Sequence, residues 1–334
     1  MREVVVLGVG MTHFGKFLDR SLKDLSREAV EVAVKDASIS KERLEAAYVA
    51  NAIAGLITGQ EMIRGQVVLR AVGIGDIPVV NVENACASAS TAFYLAWLSV
   101  ASGHYDCVLA LGVEKMTHED KKRAFQAIGT AVDVEEFTDR IRRGEVEAGA
   151  GEARSVFMDF YAQWIREYMA KYPHTTKLHL AKISSKNHYH GSLNPYAQYR
   201  KPMSVEDVLN EPVVVEPLTR AMCAPIGDGA AAAVLCSVEF ARKFTTKPVY
   251  VAATVLRSGK DLGPEEPNIV ERTARAAYEM AGLGPEDIGV FEVHDATAAG
   301  ELLAYEELGL CEHGEAAQLI DEGVTCLGGP KPVN

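Results

Sequence analysis

The sequence predicts an α/β protein built from two similar halves, and three observations carry that expectation. Short apolar, β-branched runs alternate with amphipathic stretches of helical length, the pattern of a layered sheet-and-helix fold. Glu28–Asn51 then returns as Arg272–Asp295 at a constant offset of 244 residues without a gap. Between the copies, residues 117 to about 215 break the alternation with a charged, aromatic-rich segment that holds five of the nine histidines.

Taken in order, Val4–Leu7 reads as a strand, followed by Gly8-Val-Gly10 and a loop through Phe14-Gly15. The Gly-x-Gly does not continue into a dinucleotide fingerprint, because His13 stands where the third glycine belongs. Ser21 to Ala37 reads as an amphipathic helix, with Ser21 and Asp24 spaced as a capping box. Leu44–Ala50 is the next strand and Glu61–Val72 the next helix. Ile77–Val80 and Cys107–Leu111 follow as buried strands, separated by an Ala- and Leu-rich helix from Ala87 to Ser102. In the irregular segment, Phe157–Tyr172 reads as a helix whose aromatic residues (Phe157, Phe160, Tyr161, Trp164, Tyr168) face either a core or an acyl pocket. The layered pattern resumes with the strand Ala230–Cys236, and Pro248–Ala252 opens a new unit. In the repeat, Ala33 meets Ala277, Glu42 meets Glu286, Leu44 meets Ile288 and Val49 meets Val293, so each copy reads helix, polar turn, strand.

Cys86 is the residue around which the rest is organised. It stands between a strand and a helix, among small residues, in Asn84-Ala-Cys-Ala-Ser88. The free N–H groups and positive dipole of a helix N-terminus favour a thiolate there, and small neighbours leave room for a flat acyl group. The competing reading, a cysteine buried as a small hydrophobe, suits Cys107, Cys223, Cys236, Cys311 and Cys326, which lack that setting.

Composition narrows the partners. The 334 residues exceed one simple core, and 48% hydrophobic with 24% charged residues is ordinary for a globular protein. A net charge of −12 argues against nucleic acid as the main ligand. No apolar run reaches membrane-spanning length and no leader pattern opens the chain, so a cytoplasmic protein is expected, with no membrane role. Six unpatterned cysteines fit a reducing compartment, and His174, His179, His188 and His190 lack metal-ligand spacing, so no metal is expected.

With these residues in hand, the sequence resembles the thiolase superfamily, in its sterol-carrier-type and archaeal-type branch. The resemblance rests on Asn84-Ala-Cys86-Ala-Ser88, Gly112-Val-Glu-Lys-Met116, Gly227-Asp-Gly-Ala-Ala-Ala232, and His294-Asp295 followed by Glu301-Leu-Leu303. It spans nearly the whole chain, with the motifs in order. It implies the thiolase fold: two duplicated α/β halves in a layered α-β-α-β-α arrangement with an inserted loop domain. On this reading residues 1–116 and 216–245 form the N-terminal half, 117–215 the insertion over the active site, and 246–334 the C-terminal half. The family's Gly-His-Pro and late Cys-x-Gly motifs would lie beyond Asn334, so the C-terminal half is expected to be incomplete.

By the same resemblance Cys86 takes the acyl group as a thioester and coenzyme A is substrate or product, with no covalently bound cofactor. His294 supplies an oxyanion-hole donor, against the alternative of a histidine pinned by Asp295 at a helix entrance. The Cys86 N–H at its helix start is a further donor to a developing oxyanion. Glu301 is read as structural support, Asp228 as a turn residue, and Glu114 as an orienter of loops. The branch's His-Asp-Cys-Phe reads His294-Asp-Ala-Thr297 here, so its acid/base cysteine is Ala296.

Three functions follow: an acyltransferase cleaving or forming a 3-oxoacyl-CoA, a carbon–carbon lyase (retro-aldolase) of the same fold, and a non-catalytic acyl-CoA-binding subunit. Retention of Cys86 favours the first, while Ala296 and Thr297 keep the second in view. Aliphatic and aromatic acyl-CoA substrates both fit. The resemblance also implies a homodimer or higher oligomer, and a small zinc-ribbon and OB-fold-like partner subunit.

Overall fold

The computed structural model describes residues 1–143, 154–263 and 266–334; residues 144–153, within the expected insertion, and 264–265 lie outside the described residues. The protein is α/β, and its chain divides into two compact units, Met1–Ala131 with Ile226–Leu256 and Val132–Pro225 with Arg257–Asn334. The strands, in chain order, are β1 (Val4–Met11), β2 (Ala46–Ala50), β3 (Val79–Val82), β4 (Cys107–Glu114), β5 (Val213–Val215), β6 (Leu218–Thr219), β7 (Gly229–Ser237) and β8 (Val249–Tyr250).

In the first unit six of these form one sheet in the order β3-β2-β4-β7-β1-β8. β2 runs parallel to both β3 and β4, whereas β7 is antiparallel to β4 and β1. Side chains alternate across the sheet with period two. Val5, Ala47, Leu109 and Val234 enter the core beneath the helices Leu22–Asp36 and Arg64–Val72. Their neighbours Val4, Ala46, Val108 and Leu235 face the helix Ser88–Ala101 through Ala96, Trp97 and Val100. Fully buried Leu25 contributes roughly 2 kcal/mol by leaving water. The capping box forms as spaced: Ser21 Oγ accepts from the Asp24 N–H, and the Asp24 carboxylate accepts from the Ser21 N–H.

Three local expectations are corrected. Gly8 and Gly10 are not loop residues but lie inside β1. A Cβ on Gly8 would lie 2.6 Å from Ala33 O, and one on Gly10 would lie 2.5 Å from Ala33 N. These glycines let the helix Leu22–Asp36 press its backbone on the strand. β3 is shifted two residues along, to Val79–Val82, because Asn81 is accommodated in the strand. Its Oδ1 accepts from the Gly65 N–H at 2.6 Å and its Nδ2 donates to Gln66 at 2.7 Å. The helix expected from Glu61 begins at Arg64, after Ile63 adopts a left-handed φ of 51°.

The second unit is mainly helical. The helices Val156–Lys171, Lys177–Leu193 and Ala298–Glu307 share a core of Ile165, Leu180, Ile183, Leu302 and Tyr305, to which Leu218 of the β5–β6 ribbon adds. The aromatic stripe divides. Tyr168 is buried in this core, while Phe160 packs between Phe157 and Trp164, and Trp164 is 48% exposed.

The repeat is visible at its turns: the 3-10 turns Lys41–Arg43 and Pro285–Asp287 occupy equivalent positions after the helices Leu22–Asp36 and Ile269–Ala281. The strand expected at Val290–Val293 does not form. Phe291 makes a single parallel bridge with Val333, and Val290 is exposed. A strand needs a ladder of partners, and among the described residues only 332–334 pair with this segment.

Candidate functional site

Cys86 lies in the first unit, at the C-terminal ends of the parallel strands, where open α/β sheets place their ligand sites. β3 ends at Val82, and the chain makes one 3-10 turn, Ala85–Ala87, before the helix Ser88–Ala101 begins. Ala85 is left-handed, with φ 45°, a conformation that costs an alanine about 1 kcal/mol or more. Its neighbours hold it there. Ser88 Oγ accepts from the Asn84 N–H at 2.8 Å and donates to Ala85 O at 2.7 Å. Asn84 Nδ2 donates to Thr91 at 2.9 Å, and the Ala85 N–H donates to Glu83 at 2.6 Å. Gly112 of β4 admits Ala89, with only 2.7 Å between Ala89 Cβ and the place of a Cβ on Gly112, so the helix start sits tightly on the sheet. This strained strand-to-helix turn presents the Cys86 thiol at the surface. Among the described residues no backbone carbonyl accepts from the Cys86 N–H, which faces its own thiol.

The expected thiolate preference is corrected. The Cys86 thiol is pushed up from its ordinary value, first by desolvation and then by the charge of Glu114, with only its own N–H pulling the other way. Cys86 sits inside the 3-10 turn, two residues before the helix proper, and desolvation is the largest influence on its thiol. Glu114 orients loops, as its position suggested. Its carboxylate accepts from Asn51 Nδ2 and the Ala52 N–H, both at 2.9 Å, and from the Ile53 N–H at 3.2 Å. Asn51 Oδ1 is buried with no hydrogen-bond partner among the described residues.

Asp228 is more than a turn residue. It is wholly buried and ion-paired to Lys115 at 2.8 Å, and it accepts from the Met116 and Thr117 N–H groups at 2.7 and 2.8 Å. Lys115 also donates to Phe17 O, so the pair ties three connections at one end of the sheet.

His294 lies in the second unit. It is exposed, and burial of part of its ring lowers its pKa, so it is a neutral donor at pH 7. Asp295 does not pin it; the carboxylate instead accepts from Asn187 Nδ2 at 3.1 Å. The backbone here is fixed by Ala224 N–H donating to Ala296 O at 3.0 Å, and Thr297 caps the next helix by accepting from the Gly300 N–H at 3.2 Å. Glu301 is structural support, fully buried. It pairs with Lys186 at 2.8 Å, and it accepts from Asn187 at 2.5 Å and from the Tyr305 hydroxyl.

Sequence reasoning passed over Lys115, Lys186 and Asn187. Lys186 and Asn187 follow Leu180 and Ile183 at helical spacing, so a polar pair continuing an apolar row was the available signal. The four histidines of the insertion serve separate contacts. His174 meets Gly314 O, His179 accepts from the Thr176 N–H, His188 stacks on Tyr199, and His190 lies between Asn334 O and the Leu327 N–H. Among the described residues no group of three or more His, Cys, Asp or Glu is arranged to hold a metal, and no helix is long and apolar enough to cross a membrane.

An α/β sheet with a cysteine on a strained strand-to-helix turn defines a class of nucleophile-bearing enzymes. Residues 4–239 match the family model described as Thiolase, N-terminal domain, and residues 260–334 match Thiolase C-terminal domain-like. The chain belongs to the thiolase family. An acetyl-CoA acetyltransferase of Methanothermobacter thermautotrophicus is 40% identical over 100% of this chain and 84% of its own length. Benzoylsuccinyl-CoA thiolase subunit BbsB of Thauera aromatica is 37% identical over 98% and 81%. Sterol carrier protein 2 of Homo sapiens is 34% identical over 100% of this chain and 61% of its own length. The solved structure of an Ltp2-ChsH2(DUF35) aldolase superposes with a TM-score of 0.80 at 25% identity, covering 99% of this chain and 83% of the other. The fold is the thiolase fold, and the protein is an acyltransferase with thiolase-type activity.

Proposed function

We propose that the protein cleaves or forms a 3-oxoacyl-CoA through an acyl thioester on Cys86, with coenzyme A as the second acyl acceptor. The observation that carries this reading is the Ala85–Cys86 turn, where backbone strain is spent on presenting one thiol. A thiolate is suited to a thioester carbon, because exchange between two thioesters is nearly isoenergetic and both directions stay open. The neutral His294 donates to the oxygen that becomes negative as the enolate forms, and the Cys86 N–H donates to the tetrahedral oxyanion. Residues 1–116 with 216–245, and 246–334, serve as the two halves of the fold, with 117–215 as the insertion bordering the acyl chain. We place the reaction in the cytoplasm, in aliphatic or aromatic acyl-CoA metabolism.

The subunit named in BbsB and the DUF35 component of the aldolase support work in a complex with a second kind of subunit, and the reading includes a homodimer or higher oligomer of this chain. The aldolase likeness supports a second reading, carbon–carbon cleavage without an acyl-enzyme. Intact-protein mass spectrometry after incubation with acetoacetyl-CoA or an aryl 3-oxoacyl-CoA separates the two. An acyl increment lost in Cys86→Ala, together with loss of turnover, supports the thioester route. Cleavage that persists in Cys86→Ala without an increment supports the lyase.

A further inference from the structure

The first unit sets a carboxylate beside the Cys86 turn. Alternate residues of β4 face the helix Ser88–Ala101, Val108 and Ala110 packing in one cluster with Ala96, Trp97 and Val100. Gly112 continues that row, since a Cβ on it would lie 2.7 Å from Ala89 Cβ. Glu114 is two residues further, so it lies on the same face, about 7 Å along the strand. The helix leaves from the C-terminal end of the parallel strands and runs back over the sheet. Cys86, three residues before Ala89, therefore stands about 6 Å beyond it toward that same end. Glu114 and Cys86 are the next pair after Gly112 and Ala89, and the charge of Glu114 reaches the thiol.

The surroundings of Glu114 keep it charged and leave that charge without a counter-ion. Oε1 accepts from Asn51 Nδ2 at 2.9 Å and from the Lys115 N–H at 3.1 Å, and Oε2 from the Ala52 and Ile53 N–H groups at 2.9 and 3.2 Å. All four partners are donors, which favours the ionised form. Burial pushes the carboxyl up, and these bonds pull it back. The adjacent cation, Lys115 Nζ, is committed to Asp228 at 2.8 Å and to Phe17 O. Asn51, 4% exposed, gives its Nδ2 hydrogens to Glu114 and, at 2.7 Å, to Val113 O, leaving Oδ1 buried with no partner among the described residues. Its amide is thus held in the orientation that serves the carboxylate. The Asn51 N–H donates to Val82 O at 3.2 Å, which joins this clamp to the strand leading into the Cys86 turn. Other charges stand aside: the helix Ser88–Ala101 has no acidic or basic side chain, Glu61 pairs with Arg64 at 3.8 Å, and exposed Glu83 accepts from the Ala85 N–H.

We propose that Glu114 is a positioning residue for the Cys86 nucleophile, its fixed charge keeping the resting side chain a thiol and raising the reactivity of the thiolate once that forms. Its place in turnover rests on the acyl-Cys86 reading above. An anion beside the sulfur disfavours a second anion, so less thiolate is present at neutral pH. The thiolate that does form is more basic and attacks a thioester carbon faster, because nucleophilicity rises with thiol basicity at a slope of about 0.4–0.5. A resting thiol also escapes alkylation and oxidation, which act through the thiolate. Removing the charge reverses both effects. At this range a like charge changes the thiolate population about tenfold, and hence the reactivity of each thiolate about threefold.

Alkylation of Cys86 tests this. Full-length wild type and Glu114→Gln are held at neutral pH, jumped for seconds to each test pH with iodoacetamide and quenched, and the Cys86 peptide is quantified by mass. Glu114→Gln should label about threefold faster than wild type at neutral pH and about threefold slower on the alkaline plateau, the two profiles crossing between. A turn that had merely loosened would label faster at every pH. Glu114→Asp keeps the charge with less reach and should inflect where wild type does. Profiles of Glu114→Gln and wild type that superimpose, or that differ by one factor throughout, overturn the proposal. So does a Glu114→Asp inflection that moves with that of Glu114→Gln, because hydrogen bonding and not charge would then act. Should Glu114→Gln fail to fold by circular dichroism, Glu114→Asp decides: a retained inflection supports the proposal and one moved to lower pH overturns it. Incubation with acetoacetyl-CoA judges the acyl reading separately. An acetyl increment that never forms on Cys86 refutes that reading and the place of Glu114 in turnover, whereas a normal increment with superimposed labelling profiles refutes the Glu114 proposal alone.

Discussion

Lys186 and Glu301 form an ion pair 2.8 Å long whose two side chains are 6% and 0% exposed. They join the helices Lys177–Leu193 and Ala298–Glu307 at the point where Asn187 and Tyr305 also bond the same carboxylate. Removing one partner of such a pair strands a charge in a dry interior, at about 3–5 kcal/mol, whereas replacing both with apolar residues of similar volume is often nearly neutral. Lys186→Met should therefore lower the urea midpoint sharply, and Lys186→Met with Glu301→Leu should recover most of the loss. If the single and double variants are equally unstable, Glu301 is held by its neutral bonds and the lysine is incidental.

Cys86 should be the cysteine that reacts first and still react slowly. Its thiol is exposed but shifted upward, so the rate with iodoacetamide at neutral pH should lie below that of a free thiol and climb about tenfold per pH unit into the alkaline range. Cys107 and Cys236 are buried, with their thiols pushed up by desolvation, Cys236 to about 12, and should label only on unfolding. Mass mapping after a short pulse checks both statements. Prompt labelling at Cys107 or Cys236 in the folded protein would contradict this packing, and fast neutral labelling of Cys86 would contradict its desolvation.

Asp228 and Lys115 hold the first unit as Glu301 and Lys186 hold the second. Burial alone would raise the Asp228 carboxyl, but Lys115 and the N–H groups of Thr117, Met116 and Phe17 hold it below the ordinary value. A depressed carboxyl contributes stability that is present above its unfolded pKa of 3.8 and is lost as pH falls through the folded value. Asp228→Asn should cost about 3–5 kcal/mol at neutral pH, and that gap should shrink below about pH 4. Denaturant titrations of both proteins at neutral and acidic pH measure the gap directly. A constant gap would place the effect in lost hydrogen bonds instead of charge.

What the sequence disclosed follows from which forces are local. The capping box at Ser21, the strand-to-helix setting of Cys86 and the helix-and-turn repeat through Pro285 are written in adjacent residues, and each is found where it was read. The pairing of Lys186 with Glu301 and of Lys115 with Asp228 spans more than a hundred residues each way, so no window of sequence contains both partners. Gly8 and Gly10 misled for a related reason: glycine reads as a turn until the helix backbone that requires it is seen against the strand. The upward shift at Cys86 was illegible because it comes from desolvation and from Glu114 on another strand, not from the helix dipole that the local pattern suggested.

The raised carboxyl of Asp295 makes a prediction about stability. An aspartate at about 6 in the folded state and 3.8 unfolded binds more protons when folded between those values. Its contribution is therefore fully present below 3.8 and is lost as pH rises through about 6, the reverse of Asp228. At pH 7 the ionised Asp295 beside Glu301 costs on the order of 2 kcal/mol, after allowance for its half-buried position. Asparagine at this position keeps an acceptor for Asn187 and carries no charge. Asp295→Asn should thus raise the melting temperature above pH 7 by several degrees and give no gain below pH 4. Melting curves of wild type and Asp295→Asn from pH 4 to 8 decide it: a difference that does not grow with pH would show that Asp295 is an ordinary carboxylate, ionised throughout that range.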